Sequence, residues 1–257
     1  MSFPLQINNS LFFRYNGELE ASWGLACGDG STDAKRLAHI NWCQKYRCDG
    51  IILCLNNEGY ISLFRDRYLG ALDWNKWNSL LRYVIDLKSM GAKIVFAFFD
   101  GPEDKSGHYW PILSQLDKHA AFIQAACQAL NPFASAYLIG CETNRYWDSA
   151  TVREAIRVTK QYAGLIPVGT HEQWDPHTRE FPGGDFCCYE TRNHPKDGDA
   201  VSVADMVAEV RHIQTHLPPN FPVWVAEHNL NPDGAHSRAQ ARALAELPGV
   251  IGVGGPI

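Results

Sequence analysis

The sequence predicts an α/β protein built as a (β/α)8 barrel, and two observations lead to this class. Short apolar runs, rich in β-branched and aromatic residues, alternate with longer amphipathic stretches along the whole chain, and no linker separates them. Eight such runs fit within 257 residues, which is the strand number of a closed parallel barrel. An open doubly wound sheet usually uses fewer strands over this length. We therefore expect one domain over residues 1–257.

The apolar runs have the length of strands, and the stretches between them have the apolar spacing of helices. The predicted strands span residues 22–27, 50–55, 93–99, 136–140, 165–170, 185–189, 223–226 and 250–253. One helix is expected to start after Asp73 and to stop at Gly91, and another to start at Ser202, because these residue types cap helix ends. Further helices are expected over residues 31–46, 113–130, 149–162 and 235–247, and a loop over residues 171–184.

Both ends of the chain carry irregular features. Asn16-Gly17 follows Leu11-Phe12-Phe13 and predicts a hairpin within residues 1–20, which would plug the bottom of the barrel. The sequence stops directly after the eighth strand, without the eighth helix of a complete barrel. We expect this wall to be covered by a second subunit of an oligomer or by the rest of a larger parent chain.

The charge balance and the length of the apolar runs exclude two classes of partner. The chain has 28 acidic and 23 basic residues, a formal net charge of −5 and no run of Lys or Arg, so nucleic acid is not expected as a partner. The apolar runs are far shorter than the roughly 20 residues of a membrane-spanning helix, so no membrane is expected. The first residues lack the basic and apolar regions of a secretory signal.

The eight cysteines predict reduced thiols rather than disulfides or a metal site. Cys54, Cys127 and the Cys187-Cys188 pair lie in apolar runs, where a reduced cysteine packs as a small hydrophobe. Reduced thiols favour an intracellular, cytoplasmic location. Because no C-x-x-C pair occurs, we expect no zinc site, and no motif indicates another metal or a cofactor.

Acidic residues follow the predicted strands, at the end of the barrel where active sites are built. Glu142 follows the fourth apolar run and Glu227 the seventh, on strands that lie nearly opposite each other. Two glutamates that converge to a carboxyl separation of roughly 5 Å suit glycoside hydrolysis by double displacement, one as nucleophile and one as acid/base. A single strand-end carboxylate is more often structural, capping a helix or pairing with neighbours such as Arg145 and Arg192. The combination of the two glutamates favours a catalytic function.

The motifs around these glutamates resemble those of the retaining clan A glycoside hydrolases. IGCETN at the fourth strand precedes WVAEHN at the seventh, and LDWNKWNSLLRYVIDLKSMGAKIVFAFFD is similar to the second helix and third strand of that clan. The likeness is one of pattern over residues 50–230. It implies a (β/α)8 barrel, a carbohydrate substrate, Glu142 as the acid/base and Glu227 as the nucleophile.

Cys141 departs from the clan pattern, in which an asparagine precedes the acid/base and contacts the sugar 2-hydroxyl. A cysteine is a poor hydrogen bonder. Three interpretations follow. Asn57 or Asn144 supplies the contact, the substrate carries an unusual group at that position, or catalysis has been lost and sugar binding remains.

Other residues near the strand ends are candidates for substrate binding. Tyr189, after the sixth run, would donate a hydrogen bond to the nucleophile, as an aromatic hydroxyl does in the clan, or would pack in the core. Tryptophans in three separate predicted loops would stack on sugar rings, and His171 and His194 would shape the pocket of the acid. The candidate substrate-binding residues are Asn57, Glu58, Asp100, Trp110, Asn144, Trp147, His171, Trp174, Glu190 and His194.

Two other functions fit the same strand ends. Glu142, His171, Glu190 and Glu227 (or His228) would suit a divalent metal in a barrel isomerase or hydrolase, although no H-x-H or H-x-x-E spacing marks them. A carbohydrate-binding or adhesion barrel without turnover would fit the cysteine at position 141.

Overall fold

The apolar runs of the sequence form strands, and parallel pairing closes eight of these strands into a barrel. The structure is a computed structural model that describes residues 14–15, 18–19, 23–26, 37–38, 40–41, 44, 50–55, 74–99, 116–140, 142–172, 180–191, 202–226 and 235–256. Its strands are β1 (Arg14–Tyr15), β2 (Glu18–Leu19), β3 (Trp23–Ala26), β4 (Gly50–Cys54), β5 (Lys93–Phe99), β6 (Ala134–Gly140), β7 (Val168–Glu172), β8 (Phe186–Glu190), β9 (Val223–Ala226) and β10 (Val250–Pro256).

Closure of the barrel depends on β10, because this strand pairs with both β9 and β3. Val250 lies opposite Val223 of β9, and Gly254 lies opposite Trp23 of β3. The order around the barrel is β10-β3-β4-β5-β6-β7-β8-β9, so neighbours in space are neighbours in sequence. This is the (β/α)8 architecture that the sequence predicts.

The two short strands near the start of the chain form a hairpin. Arg14 pairs with Leu19 and Tyr15 with Glu18 in antiparallel register. This agrees with the hairpin predicted at Asn16-Gly17, although those two residues lie outside the described ranges. Its role as a plug of the barrel stays a prediction.

Helices begin and end where capping residues stand. The helices are α1 (Trp74–Ser89), α2 (Leu116–Leu130), α3 (Thr143–Tyr146), α4 (Ser149–Ala163), α5 (Val203–Gln214) and α6 (Ala235–Ala245), and residues 37–38, 40–41 and 44 are also helical. The side chain of Ser202 accepts from the N–H of Asp205 at the start of α5, as predicted. Gly91, with φ of 82°, stops α1 in the left-handed conformation. Among the described helices, none is long and apolar enough to cross a membrane.

Strand β7 starts later and ends later than the sequence predicts. Leu165, expected to begin it, is 94% exposed in the turn after α4. His171 and Glu172, expected in a loop, continue the parallel ladder opposite Cys188 and Tyr189. The apolar pattern misses them because they are polar, yet both are buried at the strand end.

Two layers of side chains pack the barrel wall. On the outside, Phe98 stacks on Tyr137 with ring centres 5.1 Å apart and meets Phe122 of α2 edge-on. On the inside, the rings of Phe186 and Trp224 lie next to each other, with their centres 6.4 Å apart. Trp224 needs glycine at position 252, because a Cβ there would lie 2.9 Å from the Trp224 ring. Cys127, Cys187 and Cys188 are buried, which agrees with the prediction that they pack as small hydrophobic side chains.

Asp185 joins the starts of β7 and β8. One carboxylate oxygen accepts from the backbone N–H of Val168 at 2.9 Å, and the other accepts from Lys160 of α4 at 2.5 Å. We expect Asp185→Ala to lower the free energy of unfolding by about 1–2 kcal/mol, because it leaves a partly buried N–H without its acceptor. Lys160→Met is the matched control and should cost less than about 1 kcal/mol, since it removes only a half-exposed ion pair. Urea unfolding measures both, and equal losses would contradict the interpretation.

Candidate active site

The carboxyl ends of the strands form one rim of the barrel, and several predicted site residues lie there. Glu142 follows the end of β6, His171 lies near the end of β7, and Glu190 ends β8. Glu190 pairs with Ala226, and Glu227 is the next residue after Ala226 in the sequence. The predicted residues Asn57, Glu58, Asp100, Trp110, Trp174, His194 and Glu227 lie outside the described ranges.

Glu142 has an unusual backbone conformation. Its φ of 48° and ψ of 42° are left-handed, which costs a residue with a Cβ roughly 1–2 kcal/mol. It occupies the N-cap position of α3, but its side chain makes no capping hydrogen bond to that helix. This carboxylate therefore does not cap the following helix, whereas the alternative of a structural ion pair with Arg145 or Arg192 involves side chains outside the described residues. The side chain is partly exposed at the rim.

Strand β7 contacts the turn at Glu142 through three groups. The backbone N–H of Glu142 donates to Nδ1 of His171 at 3.4 Å. The hydroxyl of Thr143 lies 2.8 Å from a carboxylate oxygen of Glu172 and 3.2 Å from the backbone carbonyl of His171. Its single proton serves one of these two acceptors at a time. Neither Thr143 nor Glu172 is among the residues predicted from the sequence, although each directly follows a predicted site residue.

His171 is a buried, neutral imidazole. Burial lowers the pKa of His171 to about 4, and the nearby carboxylate of Glu142 opposes this shift. Because Nδ1 accepts a hydrogen bond, the neutral ring carries its proton on Nε2. Nε2 is buried and has no hydrogen-bond partner among the described residues. Alternation along β7 puts His171 on the same interior side as Gly169, which lies against the Phe186 ring.

Tyr189 lies on the side of β8 away from the barrel interior, which differs from the sequence hypothesis. Its ring packs with Met206 and Val210 of α5, and its hydroxyl donates to the carboxylate of Glu209 at 3.0 Å. Successive side chains of a strand face opposite sides, so the interior position is that of Glu190, which is 3% exposed. We interpret Tyr189 as a core residue that fixes α5, the alternative that the sequence left open.

Trp147 and Asn144 lie just beyond β6. The indole of Trp147 rests on Gly140, where an added Cβ would lie 2.7 Å from its Cζ3. The backbone N–H of Trp147 donates to the carbonyl of Thr143, and the side chain is partly exposed. Asn144 is buried beside it. Trp147 also packs against the hydrophobic cluster between the sheet and the helices, so its role in sugar binding stays a prediction.

The metal alternative gains no support from the described residues. No group of three or more His, Cys, Asp and Glu side chains among them is arranged to hold an ion. Glu227 and His228, the remaining members of the hypothesised ligand set, lie outside the described ranges.

Comparisons with known proteins identify the fold. No protein-family model and no curated protein matches the sequence. Among solved structures, a GH5_18 protein from Streptomyces cattleya in complex with GlcNAc matches with a TM-score of 0.67 and 14% identity, over 91% of this chain and 70% of that one. A variant of the same bacterial protein is also known in complex with Manb1-4GlcNAc.

Two further structures match over nearly the whole chain. An exo-beta-1,4-mannosidase from Opitutaceae bacterium strain TAV5 has a TM-score of 0.66 at 14% identity, over 98% of this chain and 54% of its own length. A beta-glycosidase from Pyrococcus horikoshii has a TM-score of 0.65 at 10% identity, over 96% of this chain and 86% of its own length. The chain thus spans about half the length of the mannosidase. This chain shares the barrel fold of these structures, which is the fold that the sequence resemblance implies.

Replacing Tyr189 tests its structural interpretation. We expect Tyr189→Phe to lower the free energy of unfolding by about 1 kcal/mol, because the bond to Glu209 is lost. Tyr137→Phe is the matched control, because Tyr137 also packs in the outer layer and its hydroxyl also donates a hydrogen bond, to Asn131 at 2.8 Å. If the chain hydrolyses glycosides, as the sequence resemblance implies, kcat/KM should change less than about twofold in both variants. A large loss in Tyr189→Phe alone would restore the hypothesis that it contacts the nucleophile.

The buried imidazole predicts a pH-dependent stability. Between the ordinary histidine pKa of 6.5 and the folded value of about 4, the unfolded chain binds a proton that the folded chain does not. Stability from His171 is therefore full above pH 6.5 and declines as the pH falls to 4, by roughly 3 kcal/mol at about 1.4 kcal/mol per pKa unit. Urea unfolding of the wild type and of His171→Gln over pH 4–8 measures this. A constant difference between the two proteins across that range would contradict it.

Proposed function

We propose that this chain is a glycosidase that cleaves O-glycosidic bonds with retention of configuration. The observation that carries the proposal is the carboxylate of Glu142, which stands partly exposed at the barrel rim and takes no part in capping α3. The glycosidase folds of the structural neighbours support the same reaction class.

In the proposed mechanism, Glu142 is the acid/base and Glu227 is the nucleophile. Glu142 donates its proton to the glycosidic oxygen while a Glu227 oxygen bonds to the anomeric carbon, and the leaving alcohol departs. Glu142 then removes a proton from water, which attacks the anomeric carbon and releases Glu227. The assignment of Glu227 rests on its position after β9 and on the WVAEHN motif, since the seventh barrel strand carries the nucleophile in the clan it resembles.

The proposed substrates are neutral or mildly substituted glycans with a β-linkage. Support comes from the neighbours, whose names include an exo-beta-1,4-mannosidase and a complex with Manb1-4GlcNAc. Trp147 would stack on one sugar ring, because its indole is partly exposed and backed by Gly140. Asn144, three residues after Cys141, would supply the side-chain amide that contacts the sugar 2-hydroxyl.

A binding barrel without turnover is the second candidate, and Cys141 favours it. Loss of the amide that contacts the 2-hydroxyl would weaken transition-state stabilisation more than ground-state binding. Such a protein would retain affinity for sugar and would be indifferent to loss of the Glu142 carboxylate.

Variants of the two glutamates distinguish these functions. With aryl β-glycosides of poor leaving groups, we expect Glu142→Ala to lower kcat/KM by about 10²–10⁴-fold, and with dinitrophenyl glycosides by far less, because an activated leaving group needs no proton. Azide should restore turnover of Glu142→Ala and give a β-glycosyl azide. Glu154→Gln is the matched control on the outer face of α4, where it pairs with Arg157 and should not alter activity.

Labelling with an activated fluoro-sugar, followed by mass spectrometry, should place the covalent adduct on Glu227. An adduct on another residue would refute the assignment of the nucleophile. Unchanged hydrolysis in both Glu142→Ala and Glu227→Ala would refute the catalytic proposal, and retained sugar affinity without any turnover in the wild type would favour the binding barrel.

A further inference from the structure

The turn that carries Glu142 depends on contacts from the neighbouring strand. A residue with a Cβ keeps a left-handed conformation only where its surroundings determine it. The Glu142 side chain makes no capping hydrogen bond to α3, a helix of four residues. Contacts that hold the turn come from β7, through the His171 ring, the His171 carbonyl and the Glu172 carboxylate.

The contact between Glu142 and His171 requires a donor on the Glu142 backbone and an acceptor on the His171 ring. The backbone N–H of Glu142 needs an acceptor, and an imidazole offers one only while it is neutral. The carboxylate of Glu142 faces His171 from the turn, Glu172 lies on the same strand, and Glu190 lies two residues beyond the Cys188 partner of His171 on β8. Burial of the ring outweighs the opposing effect of the Glu142 carboxylate on the pKa of His171, so the ring stays neutral and Nδ1 remains an acceptor.

We propose that β7 is the positioning element of the acid/base, in which His171 and Glu172 fix the backbone turn of Glu142-Thr143 and so set the direction of the Glu142 carboxyl. His171 and Thr143 are positioning residues under this proposal, because they act through Glu142. The proposal rests on the proposed function, which makes Glu142 the acid/base.

Loss of the correct direction has a kinetic signature that loss of general stability lacks. A misdirected acid slows glycosylation when the leaving group needs a proton, but hardly affects a dinitrophenyl leaving group. A misdirected base slows hydrolysis of the intermediate for every substrate. With dinitrophenyl glycosides, kcat and KM should therefore fall together while kcat/KM is kept.

Two pairs of variants test the proposal. His171→Leu removes the acceptor, whereas His171→Asn keeps an oxygen close to the position of Nδ1. Thr143→Val removes the hydroxyl at constant shape, whereas Thr143→Ser keeps it. Thr159→Val is the matched control, because the Thr159 hydroxyl is also buried but donates to Ala155 within α4.

We expect His171→Leu and Thr143→Val each to lower kcat/KM at least tenfold with poor leaving groups and less than threefold with dinitrophenyl glycosides. Azide should restore kcat on the activated substrate, and His171→Asn and Thr143→Ser should recover most of the loss. Thr159→Val should lower stability without any dependence on the leaving group. Where His171→Leu does not fold, the Thr143 pair decides the question by the same measurements.

The failure of this proposal and the failure of the proposed function give different results. If Glu142→Ala shows the leaving-group dependence and azide rescue while His171→Leu or Thr143→Val loses activity equally on all substrates, the positioning role is refuted and the function stands. If Glu142→Ala itself lacks that dependence, the proposed function is refuted together with the positioning role.

Discussion

Closure of the parallel ladder is the constraint on which the rest of this structure depends. A parallel sheet places every carboxyl strand end on the same edge, and closing the sheet turns that edge into a ring. β10 completes the ring by pairing with β9 on one side and β3 on the other. Glu142, His171 and Glu190 follow or end the neighbouring strands β6, β7 and β8, so strand pairing brings residues that are distant in sequence to one part of this edge.

The fold was predictable because each strand of such a barrel is buried on both faces and appears in the sequence as a continuous apolar run. The same property hides the direction of each side chain. FCCYE of β8 has no alternation of polar and apolar residues, so nothing in the sequence tells whether Tyr189 or Glu190 faces the interior. The packing of Tyr189 against Met206 and Val210 settles this, and that packing requires α5 to be in place.

The candidate site was predictable at Glu142 and less so around it. A glutamate directly after an apolar run is visible in the sequence, but a left-handed turn with its hydrogen bonds is not. Thr143 and Glu172 meet across 29 positions of sequence, and the contact forms because β7 continues two residues beyond Thr170, where the predicted strand ends. The hydrogen bond between Thr143 and Glu172 gives both side chains a polar partner, which lowers the cost of burying them.

The contact between Trp147 and Gly140 joins the barrel wall to the indole on which we propose that a sugar ring stacks. With the indole in place, any side chain at position 140 would collide with it, and the Phe99 carbonyl lies 2.8 Å from the same point. A smaller side chain at position 147 would not by itself admit a Cβ at position 140, because the Phe99 carbonyl would still lie 2.8 Å from it. A library that varies position 147 should therefore keep glycine at position 140.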